Sequence, residues 1–169
     1  MLRVSSKGRY GVKAVYELAL RYGSGPVAVS VLARAQNLPD PYLEQLMPLL
    51  KRAGIVEGMR GPQGGYMLAK PPSEITVGDV VRAVEGPIAI ADCTSEDPSI
   101  CPEVSRCVGP DVWSRVQAAL IATMDGISFA DLLPEATARR WVAQAPSDGR
   151  ASLAAQAGAP WIGWKKEAF

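Results

Sequence analysis

The stretch from residue 29 to residue 69 constrains the fold of this chain more than any other part of it. Apolar residues at helical spacing predict a helix over Val29–Gln36 and another over Tyr42–Ala53, separated by a proline-containing turn. Asp40 is a good N-cap for the second of these helices, and Pro41 is a good first helical residue. The shorter helix is expected to turn three apolar side chains inward, namely Val31, Leu32 and Ala35. Two short helices joined in this way form a helix-turn-helix.

A hairpin is predicted directly after the longer helix. Gly54 is placed to end that helix, whose inner face consists of Leu43, Leu46, Met47 and Leu50. Two strand-like runs, Ile55–Met59 and Tyr66–Ala69, then flank the glycine-rich residues 60–65, where glycine permits the positive φ of a turn. A helix-turn-helix followed by a hairpin is the order of a winged helix-turn-helix domain.

Two further helices complete this domain. The first is predicted over residues 8–22, with Ser5 or Ser6 as its N-cap. The other is predicted over Val77–Glu85 with Thr76 as its N-cap. The sequence therefore predicts a mainly α fold, a winged helix-turn-helix with a small β-hairpin wing, extended by a long dimerisation helix.

The charges of the chain are divided unevenly. Residues 1–70 contain ten Lys and Arg against four Asp and Glu, a net charge of +6, and residues 71–169 contain eight against thirteen, a net charge of −5. A basic half favours contact with a polyanion such as double-stranded DNA, although chance surface composition can give the same excess. We expect the first half alone to meet DNA.

The second helix of a helix-turn-helix enters the major groove, with residues near its N-terminus facing the base edges. Gln45 can donate to and accept from an adenine edge, and Glu44 can accept from cytosine. Arg60, on a glycine-flanked wing tip, suits a narrow minor groove. The candidate DNA-contacting residues are Tyr42, Glu44, Gln45, Lys51, Arg52, Arg60, Gln63, Ser6, Lys7 and Arg9. On these residues alone, a helix-turn-helix that is only a structural corner stays an alternative.

The three cysteines of the chain, Cys93, Cys101 and Cys107, lie in one segment rich in Pro, Gly and acidic residues. Such a segment makes a poor hydrophobic core, and a loop of this length is usually functional. Three thiolates on one flexible loop can close around a metal or an iron–sulfur cluster. Their spacing differs from the paired Cys-x2-Cys of zinc ribbons. A cluster, a thiol–disulfide switch and a structural role all stay open.

A long helix is predicted to begin at Pro110. Its apolar residues recur at spacings of three and four, at Trp113, Val116, Leu120, Met124 and Ile127. An amphipathic helix beyond the main domain can find its partner surface in a second copy of the chain. We therefore predict a homodimer with an interface formed by Trp113, Val116, Leu120 and Met124.

These patterns divide the chain into four segments. They are the winged helix-turn-helix domain (1–86), the cysteine-containing loop (87–109), the dimerisation helix with a short helix that Ser128 can cap (110–133), and a weakly ordered tail (134–169).

The chain contains no histidine, which excludes Ser-His-Asp and Cys-His catalytic sets and any histidine-ligated zinc or haem. Since no nucleophile–base pair is visible either, no enzyme activity is predicted. The chain has neither a signal-peptide pattern nor an apolar stretch long enough to span a bilayer, so a cytoplasmic location without membrane contact is expected.

Three motifs in combination resemble the Rrf family of bacterial winged helix-turn-helix transcription regulators. They are the sequences of residues 6–10, 42–46 and 60–66. Three cysteines followed by a helix that carries Trp113 resemble the iron–sulfur cluster regulator branch (IscR-like). Residues 7–11 and 42–46 resemble at least as closely the cysteine-metabolism branch (CymR-like), whose members bind no cluster and respond through a partner enzyme. The resemblance covers about residues 1–133.

The resemblance to the cluster branch implies a homodimer on a near-palindromic operator, with a 2Fe-2S or 4Fe-4S cluster held by the three cysteines. It also implies control of cluster-assembly, iron, redox or sulfur genes. Carried over by position, Tyr42, Glu44 and Gln45 fall on the recognition helix and Arg60 on the wing.

The chain departs from this branch at the fourth cluster ligand. Members of the branch use a histidine shortly after the last cysteine, or an acidic residue near the start of the first helix. The matching positions here hold Pro110 and Arg9. The fourth ligand is then Glu103, Asp111, another acid or a small molecule.

The sequence thus predicts a transcription regulator whose operator binding is modulated by an iron–sulfur cluster that senses iron, redox state or nitric oxide. The alternative is a cluster-free regulator of sulfur or cysteine metabolism, controlled by a partner protein or a thiol switch.

Overall fold

The structure, a computed structural model, describes residues 4–61, 64–97, 101 and 105–135. Its helices are α1 (Ser6–Leu20), α2 (Val29–Gln36), α3 (Asp40–Arg52), α4 (Val77–Glu85) and α5 (Gly109–Asp125), and its strands are β1 (Val56–Met59) and β2 (Gly65–Leu68). Short 3-10 helices lie at Pro72–Glu74, Asp92–Thr94 and Ala130–Leu132. Gln63, the candidate ligand Glu103 and residues 136–169 of the predicted tail lie outside the described residues. None of the helices that the structure describes combines the length and apolar character needed to cross a membrane.

Within the described residues, one hydrophobic core joins α1, α2, α3 and α4. The four residues predicted to form the inner face of α3 are all buried, which confirms that prediction. The largest side chains with almost no exposed surface are Phe129, Leu32, Leu43, Leu46, Met47, Leu50, Ile75, Val15, Val56 and Val80. Most of these come from the winged domain, and Phe129 comes from beyond α5.

The inner face predicted for α2 is wrong in two of its three residues. Leu32 is buried as expected, but Val31 and Ala35 are exposed, and Ala33 takes the second core position. The apolar residues of this eight-residue helix spread over more than half of its circumference, so the pattern alone did not determine which of them face the core. Gln36 at its end donates to the buried carboxylate of Glu17 (2.6 Å), which joins α2 to α1.

The ends of α3 follow the predicted signals closely, apart from the N-cap. The amide of Leu43 donates to the Pro39 carbonyl (3.2 Å), which makes Pro39 the N-cap and Asp40 the first helical residue. The helix therefore starts one residue earlier than predicted. At the other end the chain turns at Gly54, which has a φ of 68°. Its amide donates to Lys51 O (3.0 Å), and that of Ile55 donates to Leu50 O (3.0 Å). This pair of hydrogen bonds is a Schellman motif, as expected for glycine after a helix.

The wing is an antiparallel hairpin in which Val56 pairs with Leu68 and Met59 with Gly65. A residue from the turn between α1 and α2 extends it, because the amide and carbonyl of Val27 both bond to Tyr66 at 2.8 Å. A Cβ at Gly65 would overlap the backbone of Val27, so this position requires glycine for the close approach. The wing is therefore fixed to the start of the helix-turn-helix.

The segment after α5 returns to the winged domain and is anchored there. The amide of Val77 donates to Ile127 O, and that of Phe129 donates to Ile75 O, both at 2.9 Å. The N-cap of the short Ala130–Leu132 helix is Phe129, one residue after the predicted Ser128, although the Ser128 hydroxyl still accepts from the amide of Asp131 (3.3 Å). Through the fully buried Phe129, the end of α5 is held by the same core as the helix-turn-helix.

Candidate nucleic-acid interface and cysteine segment

The exposed face of α3 carries the residues predicted to face DNA. Glu44, Gln45, Lys51 and Arg52 are all exposed, whereas the residues between them are buried or partly buried apart from Pro48. These positions recur at the spacings of one helical face. The N-terminal half of this face offers polar groups suited to base edges, and its C-terminal half offers cations suited to phosphates.

Tyr42 has a different environment from its neighbours on α3. Its side chain is half-buried, and its ring meets the ring of Tyr10 edge to face, with centroids 5.2 Å apart and an interplanar angle of 83°. Such a pair packs α3 against α1. The position of Tyr42 therefore supports the fold as well as the predicted DNA face.

The start of α1 presents the basic group predicted to contact the DNA backbone. Lys7 and Arg9 are exposed, and the guanidinium of Arg9 donates to the hydroxyl of Ser6 (3.1 Å). Ser5 is the N-cap, and its hydroxyl accepts from the Lys7 amide (3.0 Å). The carboxylate of Glu85, at the end of α4, accepts from the Gly8 amide (2.8 Å), where the helix dipole favours an anion.

The wing lies beside the basic end of α3. Arg60, the predicted DNA contact of the wing, is exposed and directly follows β1. The Nζ atom of Lys51 lies 3.5 Å from the place a Cβ would occupy at Gly58, so this ammonium sits next to the wing strand. Lys51 thus connects the exposed face of α3 to the wing.

The three cysteines are all free thiols with unequal exposure. Cys93 and Cys101 are half-buried, and Cys107 is exposed. The Sγ atom of Cys107 accepts a hydrogen bond from the Gly109 amide (3.2 Å) in the first turn of α5. Cys93 lies in the Asp92–Thr94 turn, which packs against α5. Both ends of the cysteine segment therefore contact the long helix.

In the parts of the chain that are described, no three side chains of Cys, Asp or Glu come together in an arrangement that could hold a metal ion. The donor chemistry of the segment nevertheless fits an iron–sulfur cluster, since it offers three free thiols outside the core. A cluster held by all three would therefore require the segment to rearrange around it.

The predicted dimer interface on α5 is mostly exposed in the single chain. Trp113 and Val116 are each 41% exposed, Leu120 is 37% exposed and Met124 is half-buried. Val112, which the periodicity did not single out, is also exposed, at 44%. These side chains form a continuous apolar strip on one side of α5, and such a surface typically marks an interaction site.

Sequence reasoning missed the residues that connect these regions. Gln117 binds the backbone around Cys93, and Arg82 of α4 forms ion pairs with Asp79 (3.1 Å) and with Asp125 of α5 (2.8 Å). The contacts of Gln117 with the backbone around Cys93 and of Arg82 with Asp125 join distant segments, and a single sequence gives no signal for them.

Comparison with known proteins gives consistent matches over nearly all the described residues. The family described as "Rrf2: Iron-dependent Transcriptional regulator" matches residues 4–135. The HTH-type transcriptional regulator IscR of Aliivibrio salmonicida is 36% identical, over 78% of this chain and 77% of that protein.

Two solved structures are similar in both sequence and fold. The structure of CymR, the global cysteine regulator of B. subtilis, has a TM-score of 0.65 and 36% identity, covering 82% of this chain and 98% of that one. The structure of T. potens IscR has a TM-score of 0.64 and 37% identity, covering 86% and 93%.

Proposed function

Because this chain belongs to the Rrf2 family of transcriptional regulators, we propose that it acts as a homodimeric DNA-binding regulator whose operator affinity depends on an iron–sulfur cluster. Cys93, Cys101 and Cys107 would hold that cluster. The observation that carries the proposal is that the cysteine segment follows α4 in the chain and packs against α5 through the Asp92–Thr94 turn. A change in this segment would act on α5 directly and on the winged domain through the contact between α4 and α5.

The DNA-binding part of the proposal uses three groups of side chains. Gln45 and Glu44 on α3 read base edges, with Tyr42 packed behind them. The phosphate contacts come from Lys51 and Arg52 at the end of α3 and from Ser6, Lys7 and Arg9 at the start of α1. Arg60 of the wing enters the minor groove, and Gln63 is a further wing contact proposed from the sequence alone.

The dimer part of the proposal uses the strip on α5. Trp113, Val116 and Leu120 expose apolar surface that a second copy of the helix would cover, with Met124 at the end of the strip. Burying such side chains is worth about 25 cal/mol per Å² of apolar surface. A two-fold dimer then presents two recognition helices about one DNA turn apart, which matches a near-palindromic operator.

The cluster itself would supply sensitivity to iron, redox state or nitric oxide. Three thiolates leave one iron site to be filled by another donor, and Asp111 in the first turn of α5 is an exposed carboxylate close in sequence to Cys107. An oxygen donor is a weaker iron ligand than a thiolate, so we expect that site to be the labile one. Gathering the three cysteines would order the segment between α4 and α5.

The direct test is anaerobic purification followed by visible absorption and by iron and sulfide analysis. The proposal predicts a brown protein with iron and sulfide in near-equal amounts per monomer, and the ratio to protein separates a 2Fe-2S from a 4Fe-4S centre. A protein that stays colourless after anaerobic reconstitution contradicts the cluster and leaves the DNA-binding part standing.

A second candidate is favoured by the similarity to the global cysteine regulator CymR. In that case the chain binds no cluster and regulates sulfur or cysteine metabolism through a partner protein or a thiol switch. The free and exposed thiol of Cys107 is open to the chemistry of such a switch. Recovery of a disulfide or of a bound partner protein from a colourless sample would support this candidate.

A further inference from the structure

Gln117 is distinguished on α5 by the two hydrogen bonds of its side-chain amide. Its Oε1 accepts from the amide of Ile90 (3.3 Å), and its Nε2 donates to the carbonyl of Thr94 (3.2 Å). These two backbone groups lie on either side of Cys93. Gln117 is half-buried, whereas the residues beside it on α5, from 111 to 116 and from 118 to 120, are exposed.

The backbone around Cys93 forms a compact turn. The amide and the hydroxyl of Thr94 both donate to the Ala91 carbonyl at 2.9 Å. The hydroxyl of Ser95 donates to the Asp92 carbonyl (2.8 Å). Because these bonds close the turn on itself, Cys93 moves together with it, and Gln117 ties the whole turn to α5.

The C-terminal end of α5 is fixed to the winged domain. Asp125 pairs with Arg82 of α4 (2.8 Å), and the fully buried Phe129 follows shortly after the helix. The helix is therefore held at one end by the core of the DNA-binding domain and further along by the Cys93 turn. A displacement of the turn changes how α5 is supported.

We propose that Gln117 is a positioning residue that couples Cys93 to α5. It holds the Cys93 turn against the helix, so that ligation at Cys93 changes the position of α5 relative to the winged domain. Through this change of position, ligation alters operator affinity. This inference rests on the proposed function, because it takes Cys93 as a cluster ligand. Without the two hydrogen bonds, the cluster still binds but no longer changes the affinity for DNA.

The first test, made without any cluster, measures whether the two hydrogen bonds of Gln117 hold the Cys93 turn against α5. We call this arrangement the clamp. In the apo protein, the alkylation rates of Cys93 and Cys107 by iodoacetamide are compared by peptide mass spectrometry. Gln117→Met removes both hydrogen bonds, and Gln117→Glu places a carboxylate oxygen against the Thr94 carbonyl. Both variants should raise the alkylation of Cys93 about tenfold, the loss expected for one or two hydrogen bonds, and leave that of Cys107 unchanged.

The matched control is Arg115→Met, which introduces the same side chain at an exposed position of α5. It should leave both alkylation rates as in the wild type. Circular dichroism confirms that each variant is folded. An unchanged rate at Cys93 in folded Gln117→Met and Gln117→Glu overturns the clamp.

The second test measures the coupling between cluster binding and operator affinity. For wild type, Gln117→Met and Arg115→Met, the operator affinity of the cluster-loaded protein is divided by that of the chelator-treated protein. Gln117→Met should bring this ratio to within about twofold of one, while its visible spectrum still shows the cluster. The control Arg115→Met should keep the wild-type ratio. A wild-type ratio in cluster-loaded Gln117→Met overturns the coupling.

The outcomes separate this inference from the proposed function. A cluster-loaded wild type with a ratio far from one, together with an unaltered ratio in Gln117→Met, leaves the proposed function standing and removes the role of Gln117. A wild type that takes up no cluster overturns the proposed function and the coupling role with it, even where alkylation shows the clamp.

Discussion

At the scale of single residues, Gln45 and Lys51 share the exposed face of α3 but differ in chemistry. The amide of Gln45 can match one base edge, whereas the ammonium of Lys51 meets any phosphate. We expect Gln45→Ala to cost about 1–3 kcal/mol at the preferred site and little on other DNA, because a lost base contact relaxes specificity. Fluorescence anisotropy with an operator selected from random duplexes and with a scrambled duplex measures both affinities.

Lys51→Ala is the counterpart to that variant. It should weaken binding to both duplexes alike and reduce the slope of log affinity against log salt by about 1, because one fewer counterion is released. Glu57→Ala, on the exposed side of β1, serves as a surface control. Equal loss of specificity from the Gln45 and Lys51 variants would disprove the assignment of α3 as the base-reading helix.

Asp79 gives a residue-scale prediction about pH. Burial raises the pKa of Asp79, but hydrogen bonds with Thr76 and Arg82 and the charge of Arg82 outweigh it, so this pKa lies below its ordinary value of 3.8. A carboxylate with a lowered native pKa stabilises the fold above its ordinary pKa and loses that contribution as the pH falls through the native value. The free energy contributed by Asp79 is therefore present at neutral pH and is lost below 3.8.

Urea denaturation of wild type and Asp79→Asn at a series of acidic pH values tests this. The side chain of Asp79 is 44% exposed, so the difference at neutral pH should be modest, about 0.5–1 kcal/mol. It should shrink as the pH falls below 3.8. A difference that stays constant over this range would show that the charge of Asp79 contributes nothing.

At the scale of elements, the apolar strip of α5 gives the clearest prediction. Val116→Glu places a charge in the middle of the proposed dimer interface, where desolvating it is costly, and should yield a monomer. Ala118→Glu adds the same charge to the same helix, two residues away and therefore on a different side. Light scattering after size exclusion compares their masses. A dimer in both variants would place the interface elsewhere.

The elements that the sequence predicted best are those with strong local signals. Helix α4 has the predicted bounds, and Thr76 caps it through a capping box with Asp79. Gly54 ends α3 as predicted. In each case a few neighbouring residues determine the structure, so a single sequence is sufficient to identify it.

The features that the sequence did not predict depend on contacts between distant segments. Val27 pairs with Tyr66, and Phe129 enters a core whose other members come from residues before 85. The first helix, predicted over residues 8–22, ends at Leu20 and leaves Tyr22 exposed. Local periodicity gives no information about these three features, because tertiary packing determines each of them.

At the scale of the whole molecule, the resemblance to the Rrf family is confirmed by the family match and by the similar IscR and CymR structures. Its relatives are transcriptional regulators and not enzymes, which agrees with the prediction from the missing histidine and nucleophile–base pair. The cysteine segment, the strip on α5 and the DNA-facing residues stay predictions. In our proposal these three parts act together in controlling DNA binding, because the cysteine segment joins the winged domain to the dimer helix.

The operator affinity of three forms of the protein tests this account most directly. They are the anaerobically purified cluster-loaded protein, the same protein after removal of iron by a chelator, and a variant with Cys93, Cys101 and Cys107 all changed to Ala. We expect the operator affinities of the loaded and stripped protein to differ about 5- to 150-fold, as is usual for coupled sites, and the cysteine variant to bind like the stripped form. Identical affinity of all three forms for the selected operator would contradict it.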